Sequence, residues 1–276
     1  MSENTPIPGG AGRAMAGKII ILTTATERFQ IYYVNRLMRE LPEWRFRVVT
    51  EDPVDFSGFA AGEKKLKTLW RKKDFKGLIG YFPYAKVDVF RKQREAYEAE
   101  LFEGAESFAA ETRHVDNHNH GLPLIEEFGP DLIILFGARP LTGKFLERVP
   151  CPVINHHGAI LPFFRGLDPE YWLPFYKKFE YLGCSIHYVT AHLDEGRILL
   201  TRRLAPEPGA RVFQLRGMRT RLHVEMIVDL LKSWDRSRND YRANDPKVGI
   251  YRSFAPWWVQ IIAAYHFRNW TAGTGG

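Results

Sequence analysis

Continuous apolar runs alternate along much of the chain with segments in which apolar residues recur every three or four positions. The runs are typical of strands buried on both faces, and they occupy residues 18–24, 45–52, 130–137 and 151–157. Between the first two runs, Phe29, Tyr33 and Leu37 share one face of a predicted helix. The alternation predicts an α/β fold with a largely parallel, twisted sheet and flanking helices.

The rest of the chain adds a helical insertion, two more strands and a tail. Residues 53–111 separate the second and third predicted strands and contain a basic cluster around Trp70, followed by a helical segment at 91–111. Residues 182–190 and 197–205 predict a strand pair, and a long amphipathic helix follows them. We expect a disordered leader, a main domain and a C-terminal extension with a helical tail, at 1–17, 18–234 and 235–276.

Composition bounds the partners and the compartment. The 276 residues carry a formal net charge of +7, which favours anionic ligands. Only two cysteines occur in the sequence, which indicates a reducing compartment, and we expect the cytoplasm. No run approaches the ~20 apolar residues that a transmembrane helix needs, so we expect no membrane span.

Polar side chains cluster where one predicted strand ends. In parallel sheets, ligands bind outside the carboxyl ends of the strands. Asn155 and His157 lie at such an end, and strand alternation directs both to the same side. With a carboxylate such as Asp194, they supply the amide donor, titratable group and negative charge that acyl transfer to an amine requires. Each residue alone also fits a structural role in a turn or cap.

Other kinds of site are disfavoured by their context. Residues 114–120 contain three histidines but neither a cysteine nor the helical frame of a zinc site, so we expect a loop that caps the next helix and no metal. The glycine-rich residues 9–17 precede the first strand, whereas a phosphate-binding loop would follow it. No GxSxG nucleophile motif occurs.

Three motifs occur in order along residues 130–234. They are the strand PDLIILFGARPL, the strand end NHHGAILPFFRG and the loop HYVTAHLDEGRILL, which carries His187 and Asp194. Together they resemble the folate-dependent formyltransferase family, which includes glycinamide ribonucleotide and methionyl-tRNA formyltransferases. The resemblance implies a Rossmann-like formyltransferase fold and an enzyme that transfers a one-carbon group.

The resemblance also implies a catalytic triad of Asn155, His157 and Asp194. N10-formyltetrahydrofolate would be the donor, Asn155 and protonated His157 would stabilise the oxyanion, and Asp194 would keep His157 charged and help deprotonate the amine. His156 is expected to point away, and His187 to support the loop. The folate ring would lie against the main chain of two loops, formed by Phe136, Gly137, Ala138, Arg139, Pro140, Leu141, Thr190, Ala191, His192 and Leu193.

Departures from the family pattern narrow the choice of small-molecule amine acceptor. Gly158 and Ala159 replace the usual Pro-Ser after the catalytic histidine, which changes the floor of the acceptor site. No glycine-rich loop follows the first strand and no C-terminal barrel is evident, so we expect neither glycinamide ribonucleotide nor nucleic acid as a partner. A nucleotide-linked amino sugar and N5-hydroxyornithine remain. The basic insertion would suit the diphosphate of a nucleotide sugar, and its aromatic residues that could stack on a base or sugar are Trp70, Tyr81, Phe82 and Tyr84.

Two further functions stay open from the sequence. A hydrolase that cleaves formyltetrahydrofolate with water would share the triad, and a domain that only binds folate would have no need to keep it intact. The aromatic segment 254–270 is expected to pack on the core or on a second subunit, with a membrane-interface helix as the alternative. The sequence leaves a homo-oligomer open.

Overall fold

The computed structural model describes residues 17–24, 27–52, 67–68, 70–73, 87–234 and 241–273. The strands within these ranges are β1 (Lys18–Thr24), β2 (Arg45–Glu51), β3 (Glu111–Val115), β4 (Leu132–Leu135), β5 (Val153–His157), β6 (Phe164–Gly166), β7 (Gly183–Tyr188), β8 (Ile198–Arg203) and β9 (Ile250–Arg252). The α-helices that lie in full within them are α1 (Arg28–Glu40), α2 (Arg91–Leu101), α3 (Leu122–Phe128), α4 (Gly143–Leu146), α5 (Pro169–Phe175), α6 (Leu215–Lys232) and α7 (Trp257–Gly273).

Seven of these strands form one sheet, in the order β3-β2-β1-β4-β5-β7-β8. The strands from β3 to β5 are parallel, whereas β7 is antiparallel to β5 and β8 is antiparallel to β7. β6 and β9 form a separate two-stranded parallel sheet. The largely parallel α/β architecture predicted from the sequence is confirmed.

Helices cover both faces of the central strands, which explains the continuous apolar runs. On one face, Tyr33 of α1 and Met226 of α6 belong to the same buried cluster as Ile21 of β1. On the other, Phe145 of α4 packs in a cluster with Ile20 of β1. Burying each aliphatic or aromatic side chain of this kind stabilises the fold by roughly 1.5–3 kcal/mol.

A crevice is expected where the strand order reverses, because β2 and β4 lie on opposite sides of β1. Polar contacts join the two strand ends at this point. The Thr23 hydroxyl donates to the Phe136 carbonyl at 2.7 Å, and the Gln30 side chain donates to Thr24 Oγ1 at 2.8 Å and to the Gly137 carbonyl at 3.2 Å. The loop after β4 is therefore held against the start of α1.

Short strands account for most of the differences from the sequence prediction. The sequence assigns the residues of β3 to the end of the insertion and to a capping loop, not to a strand. Four of its five residues are exposed and polar, so this edge strand lacks the apolar pattern from which a strand can be predicted. β6 and β9 have three residues each and were not predicted. α2 ends at Leu101, so the helical segment expected at 91–111 is shorter than predicted.

The C-terminal helical tail is confirmed as α7. Most of the leader, at 1–16, and much of the insertion, at 53–66 and 74–86, lie outside the described residues, as do 235–240. Within the insertion, Trp70 is 69% exposed. The predicted domain boundaries stay predictions.

Candidate active site

β5 carries two adjacent histidines to opposite faces of the sheet. Asn155 lies directly across from His187 of β7, and His157 lies across from Ser185, so alternate residues of the two strands share one face. His156 projects to the other face, where its Nε2 is 2.9 Å from the Tyr33 hydroxyl. The prediction that His156 points away is therefore confirmed.

Asp194 joins these residues from the loop between β7 and β8. One carboxylate oxygen, Oδ2, lies 3.5 Å from His157 Nδ1 and accepts the Gly166 N–H at 3.0 Å. The other, Oδ1, lies 3.6 Å from His187 Nε2. The Asp194 side chain is only 4% exposed, so the carboxylate is enclosed by its partners. The structure thus brings the three predicted triad residues into one cluster.

The hydrogen bonds in the cluster assign the ring protons. His157 Nε2 lies 2.9 Å from the Phe164 carbonyl, which can only accept, so this nitrogen carries a proton and Nδ1 faces Asp194. In the same way, His187 Nδ1 donates to the Tyr188 carbonyl at 2.8 Å. His187 Nε2 is then the acceptor for the Asn155 side-chain amide at 3.2 Å. His187 therefore orients Asn155, in addition to the predicted support of the loop.

Burial and charge act in opposite directions on the two titrating groups. Burial raises the pKa of Asp194, but the charge of His157, the nearby His187 ring and the Gly166 N–H together hold that pKa well below its ordinary value. For His157, burial lowers the pKa while the charge of Asp194 raises it, and burial prevails. The site contains a permanent carboxylate beside an imidazole whose cationic form depends on it.

Two loops next to the cluster contain the residues that the sequence assigned to folate. In the loop after β4, Phe136 and Leu141 are buried and Gly137 has a φ of +68°, a conformation that favours glycine. In the loop after β7, residues 190–193 are all exposed. A Cβ on Gly143 would lie 3.6 Å from the Ala191 Cβ, so the chain after the first loop lies next to the second. The exposed residues of these two loops form a surface that could hold a flat ring.

A fully buried carboxylate, which the sequence analysis missed, anchors the first loop. Glu51, the last residue of β2, accepts the Arg139 N–H at 2.9 Å and the His118 N–H at 3.1 Å. Burial raises the pKa of Glu51, but its hydrogen bonds to His118 and Arg139 have the larger opposite effect. The pKa of Glu51 is therefore lower than its ordinary value. Its position at the carboxyl end of a parallel strand is the signal that could have identified it.

The expectations about a metal, a membrane span and the aromatic residues of the insertion can be compared only with the residues that the structure describes. Within the described ranges, no group of three or more His, Cys, Asp or Glu side chains is placed to hold a metal ion. Of the helices described, none combines the length and the apolar character needed to cross a membrane. Among the aromatics expected to stack on a nucleotide sugar, Tyr81, Phe82 and Tyr84 lie outside the described residues.

Comparison with known proteins identifies the class to which this fold and site belong. Residues 84–216, which include Asn155, His157 and Asp194, match the family model described as Formyl transferase. Formyltetrahydrofolate deformylase of Escherichia coli strain K12 is 36% identical over 77 residues, which cover 28% of this chain and 27% of the deformylase. The chain thus aligns with about a quarter of the length of this curated relative.

Two solved structures share the fold over nearly the whole chain. A 4-N formyltransferase from Francisella tularensis superposes with a TM-score of 0.54 at 15% identity, over 92% of this chain and 87% of that protein. A sugar N-formyltransferase from Shewanella sp FDAARGOS_354 superposes with a TM-score of 0.52 at 12% identity, over 90% of this chain and 87% of that protein. Both of these proteins are named as formyltransferases. The match over residues 84–216 agrees with the formyltransferase resemblance that the motifs predict.

Proposed function

We propose that the protein is a folate-dependent N-formyltransferase that moves the formyl group of N10-formyltetrahydrofolate to the amine of a small-molecule acceptor. The observation that carries this proposal is the meeting of Asn155, His157 and Asp194 at the carboxyl end of β5. The name of the deformylase relative supports formyltetrahydrofolate as the donor. The loops at 136–141 and 190–193 are the proposed seat of the folate ring.

In the proposed reaction, the acceptor amine attacks the formyl carbon, and the carbonyl oxygen becomes an oxyanion as the new C–N bond forms. Asn155 donates an amide hydrogen to that oxygen, since its other amide hydrogen is used by His187. His157, in its cationic form, adds a positive charge, and Asp194 sustains that charge and takes the amine proton through a water. Collapse breaks the bond between the formyl carbon and N10, and the proton taken by Asp194 returns through the water to N10, so that tetrahydrofolate leaves and the carboxylate is restored.

The acceptor that we propose is a nucleotide-linked amino sugar. The Shewanella structure that shares the fold is a sugar N-formyltransferase, and the similarity extends over 90% of this chain. The cationic side chains of the insertion would bind the diphosphate of a nucleotide sugar, and the exposed Trp70 would stack on its base. N5-hydroxyornithine is the alternative acceptor and would leave these insertion residues without a ligand.

The second candidate function is hydrolysis of formyltetrahydrofolate. It is favoured by the 36% identity to a deformylase over 77 residues. In this reaction a water would replace the amine as the attacking group, with the same oxyanion held by Asn155 and the same carboxylate at Asp194. The products, formate and tetrahydrofolate, distinguish it from transfer.

The test combines the purified protein with N10-formyltetrahydrofolate and two acceptor panels, amino-sugar nucleotides and N5-hydroxyornithine. Tetrahydrofolate release is followed by absorbance, and formylated products and formate by mass spectrometry. Asn155→Ala and His157→Ala are assayed alongside His120→Ala, a control in which the lost imidazole is 68% exposed. We expect a formylated amino sugar with the wild type and the control, and a loss of ~100-fold or more in both site variants.

The other possible outcomes would change the acceptor, change the reaction or refute the proposal. A formylated hydroxyornithine would replace the sugar as acceptor and keep the proposed reaction. Release of formate without any formylated amine would establish the deformylase activity. Absence of folate turnover together with absence of folate binding would refute the proposal, and the strand-end histidines would then have a structural role only.

A further inference from the structure

A segment beyond the family match is interlaced with the candidate active site. Residues 241–255, here called the C-terminal strap, follow α6 and return to the sheet edge. Arg242 exchanges two backbone hydrogen bonds with Ile198 of β8, at 2.9 and 2.8 Å. The Ile250 N–H donates to the Phe163 carbonyl at 3.0 Å, and β9 within the strap pairs with β6.

β6, to which the strap is paired, touches both members of the proposed proton-handling pair. The Phe164 carbonyl accepts from His157 Nε2 at 2.9 Å, and the Gly166 N–H donates to Asp194 Oδ2 at 3.0 Å. Gly166 has a φ of +97°, and a Cβ there would lie 2.0 Å from the Arg252 carbonyl oxygen. A glycine is therefore needed where strap and site meet.

Asn244 is the strap residue that reaches the Asp194 loop itself. Its buried side-chain amide donates to the Asp194 carbonyl and to the Gly196 carbonyl, each at 2.8 Å. Asp194 has a φ of +54°, which is uncommon for a residue with a side chain and must be held by its surroundings. A Cβ on Gly196 would lie 1.7 Å from the Tyr188 carbonyl oxygen, so this loop is tightly folded.

We propose that Asn244 is a positioning residue for the formyl-transfer site, a role that rests on the proposed function. By holding the carbonyls of Asp194 and Gly196, it fixes the backbone of the loop and so directs the Asp194 carboxylate toward His157 Nδ1, 3.5 Å away. Asn244 lies outside residues 84–216 of the family match and touches none of the reacting atoms.

Loss of this clamp has a consequence that a merely structural residue would not have. If the Asp194 carboxylate moves away, its charge no longer raises the pKa of His157, and burial lowers that pKa further. The other charged or titrating groups that face His157 are His187 from β7 and Arg219 and His223 from α6, and all three stay in place. A misplaced carboxylate would lower kcat on the order of 100-fold and leave substrate binding nearly intact.

The test uses the full chain and three variants. Asn244→Ala removes both hydrogen bonds, and Asn244→Gln keeps the amide at a longer reach. Asp245→Ala is the matched control, because Asp245 is the next strap residue, is exposed and accepts the Lys247 N–H. For each protein we would measure kcat, KM for both substrates and the titration of the His157 ring by ¹⁵N NMR, with its signals assigned by comparison with His157→Asn.

We expect Asn244→Ala to lose ~100-fold in kcat with KM within about threefold, and His157 to titrate at lower pH. Asn244→Gln should fall between Asn244→Ala and the wild type, and Asp245→Ala should match the wild type. An unchanged His157 titration in Asn244→Ala overturns the inference, even where stability or kcat falls. If Asn244→Ala does not fold, the titration in Asn244→Gln decides in the same way. A wild type without formyl transfer refutes the proposed function, while the titration still tests the clamp.

Discussion

At the scale of single residues, the two adjacent histidines of β5 show how position decides chemistry. His157 faces the Asp194 carboxylate, whereas His156 lies against Tyr33 and 4.8 Å from the ring centre of His223. Burial, with the neighbouring His223, lowers the pKa of His156 well below its ordinary value, so His156 is neutral in the folded protein. Only one of the two rings has a partner that can sustain a positive charge.

Replacing Asp194 with asparagine tests the dependence of His157 on its carboxylate. Asp194→Asn removes the charge that raises the pKa of His157, so the cationic fraction of His157 shrinks at neutral pH. We expect kcat to fall by ~100-fold or more, and the decline of kcat with rising pH to begin at lower pH than in the wild type. The measurement is kcat between pH 5 and 8 (roughly the range in which a histidine titrates).

The control for this variant is Asp229→Asn, which removes a half-exposed carboxylate of α6 that pairs with Arg202 of β8. Its pH profile should coincide with that of the wild type. A coincident profile for Asp194→Asn as well would mean that Asp194 does not govern the protonation of His157.

Gly158 has a steric reason for its difference from the family motif. A Cβ at this position would lie 2.1 Å from Arg219 Nη1, and that guanidinium donates to the Gly158 carbonyl and to Glu170. Gly158→Ala must displace this buried ion pair, so we expect a loss of about 1–3 kcal/mol in the free energy of unfolding, measured by urea denaturation.

Gly273→Ala is the comparison for this substitution, since a Cβ on Gly273 meets nothing within 4 Å. Its free energy of unfolding should stay within about 0.5 kcal/mol of the wild type. Equal stability of Gly158→Ala and the wild type would show that Arg219 can move aside without cost.

The sequence predicts the residues that carry a motif and misses those that hold the motif in place. Asn155, His157 and Asp194 could be named because two sequence motifs contain them, and their catalytic roles stay predictions. Asn244 could not be named, because it contacts the Asp194 loop across 50 residues of chain. Its role depends on tertiary contacts that no local spacing encodes.

At the scale of elements, burial decides which strands could be predicted. β4 is buried throughout and β1 is buried except at its two end residues, so their apolar runs identified them from the sequence. β3 lies at the sheet edge with exposed residues, and β6 and β9 are too short for any period to show. Their pairing follows from the strands around them.

Helix α6 places His223 beneath β5, and this burial has a consequence for stability. Burial and the neighbouring Arg219 lower the pKa of His223 from 6.5 to about 3. Below pH ~6.5 the unfolded chain binds a proton that the folded protein does not, so His223 reduces stability as the pH falls, by up to ~1.4 kcal/mol per pH unit. In His223→Phe this contribution disappears. As the pH falls from about 6 to about 4, the free energy of unfolding of the variant should therefore rise relative to that of the wild type, by up to ~1.4 kcal/mol per pH unit.

Urea denaturation at several pH values measures this difference. Asp168 contributes in the opposite direction, because burial and the charge of Glu170 raise its pKa to about 7, but it is common to both proteins and cancels. Parallel curves for His223→Phe would mean that His223 is protonated in the folded state.

At the scale of the whole molecule, the C-terminal residues are part of one packed structure with the rest. Gln260 of α7 donates to the Val87 carbonyl at 2.8 Å, and α7 packs along α5. Phe267 is fully buried in this contact, whereas Tyr265 on the same helix is 64% exposed. The sequence showed that the tail is aromatic and helical, but only the contacts show which aromatics face inward.

A matched pair on α7 tests this integration. Phe267→Ala should cost about 3–5 kcal/mol of the free energy of unfolding, because it leaves a cavity in the cluster with Val259. Tyr265→Ala should stay within about 0.5 kcal/mol of the wild type. Thermal unfolding of Phe267→Ala should remain a single transition at lower temperature. Two separate transitions would show that the tail unfolds independently.

The pairing of β6 with β9 also determines when, during synthesis of the polypeptide, this two-stranded sheet can form. Ile250, the partner of Phe164, is added about 86 positions later, so at roughly 5–20 residues per second the ribosome needs about 4–17 s to supply it. For the 50 positions between Asp194 and Asn244, the nascent chain contains Asn155, His157 and Asp194 but has neither Asn244 nor β9. The proposed reaction therefore has to wait until Asn244 and β9 have been synthesised.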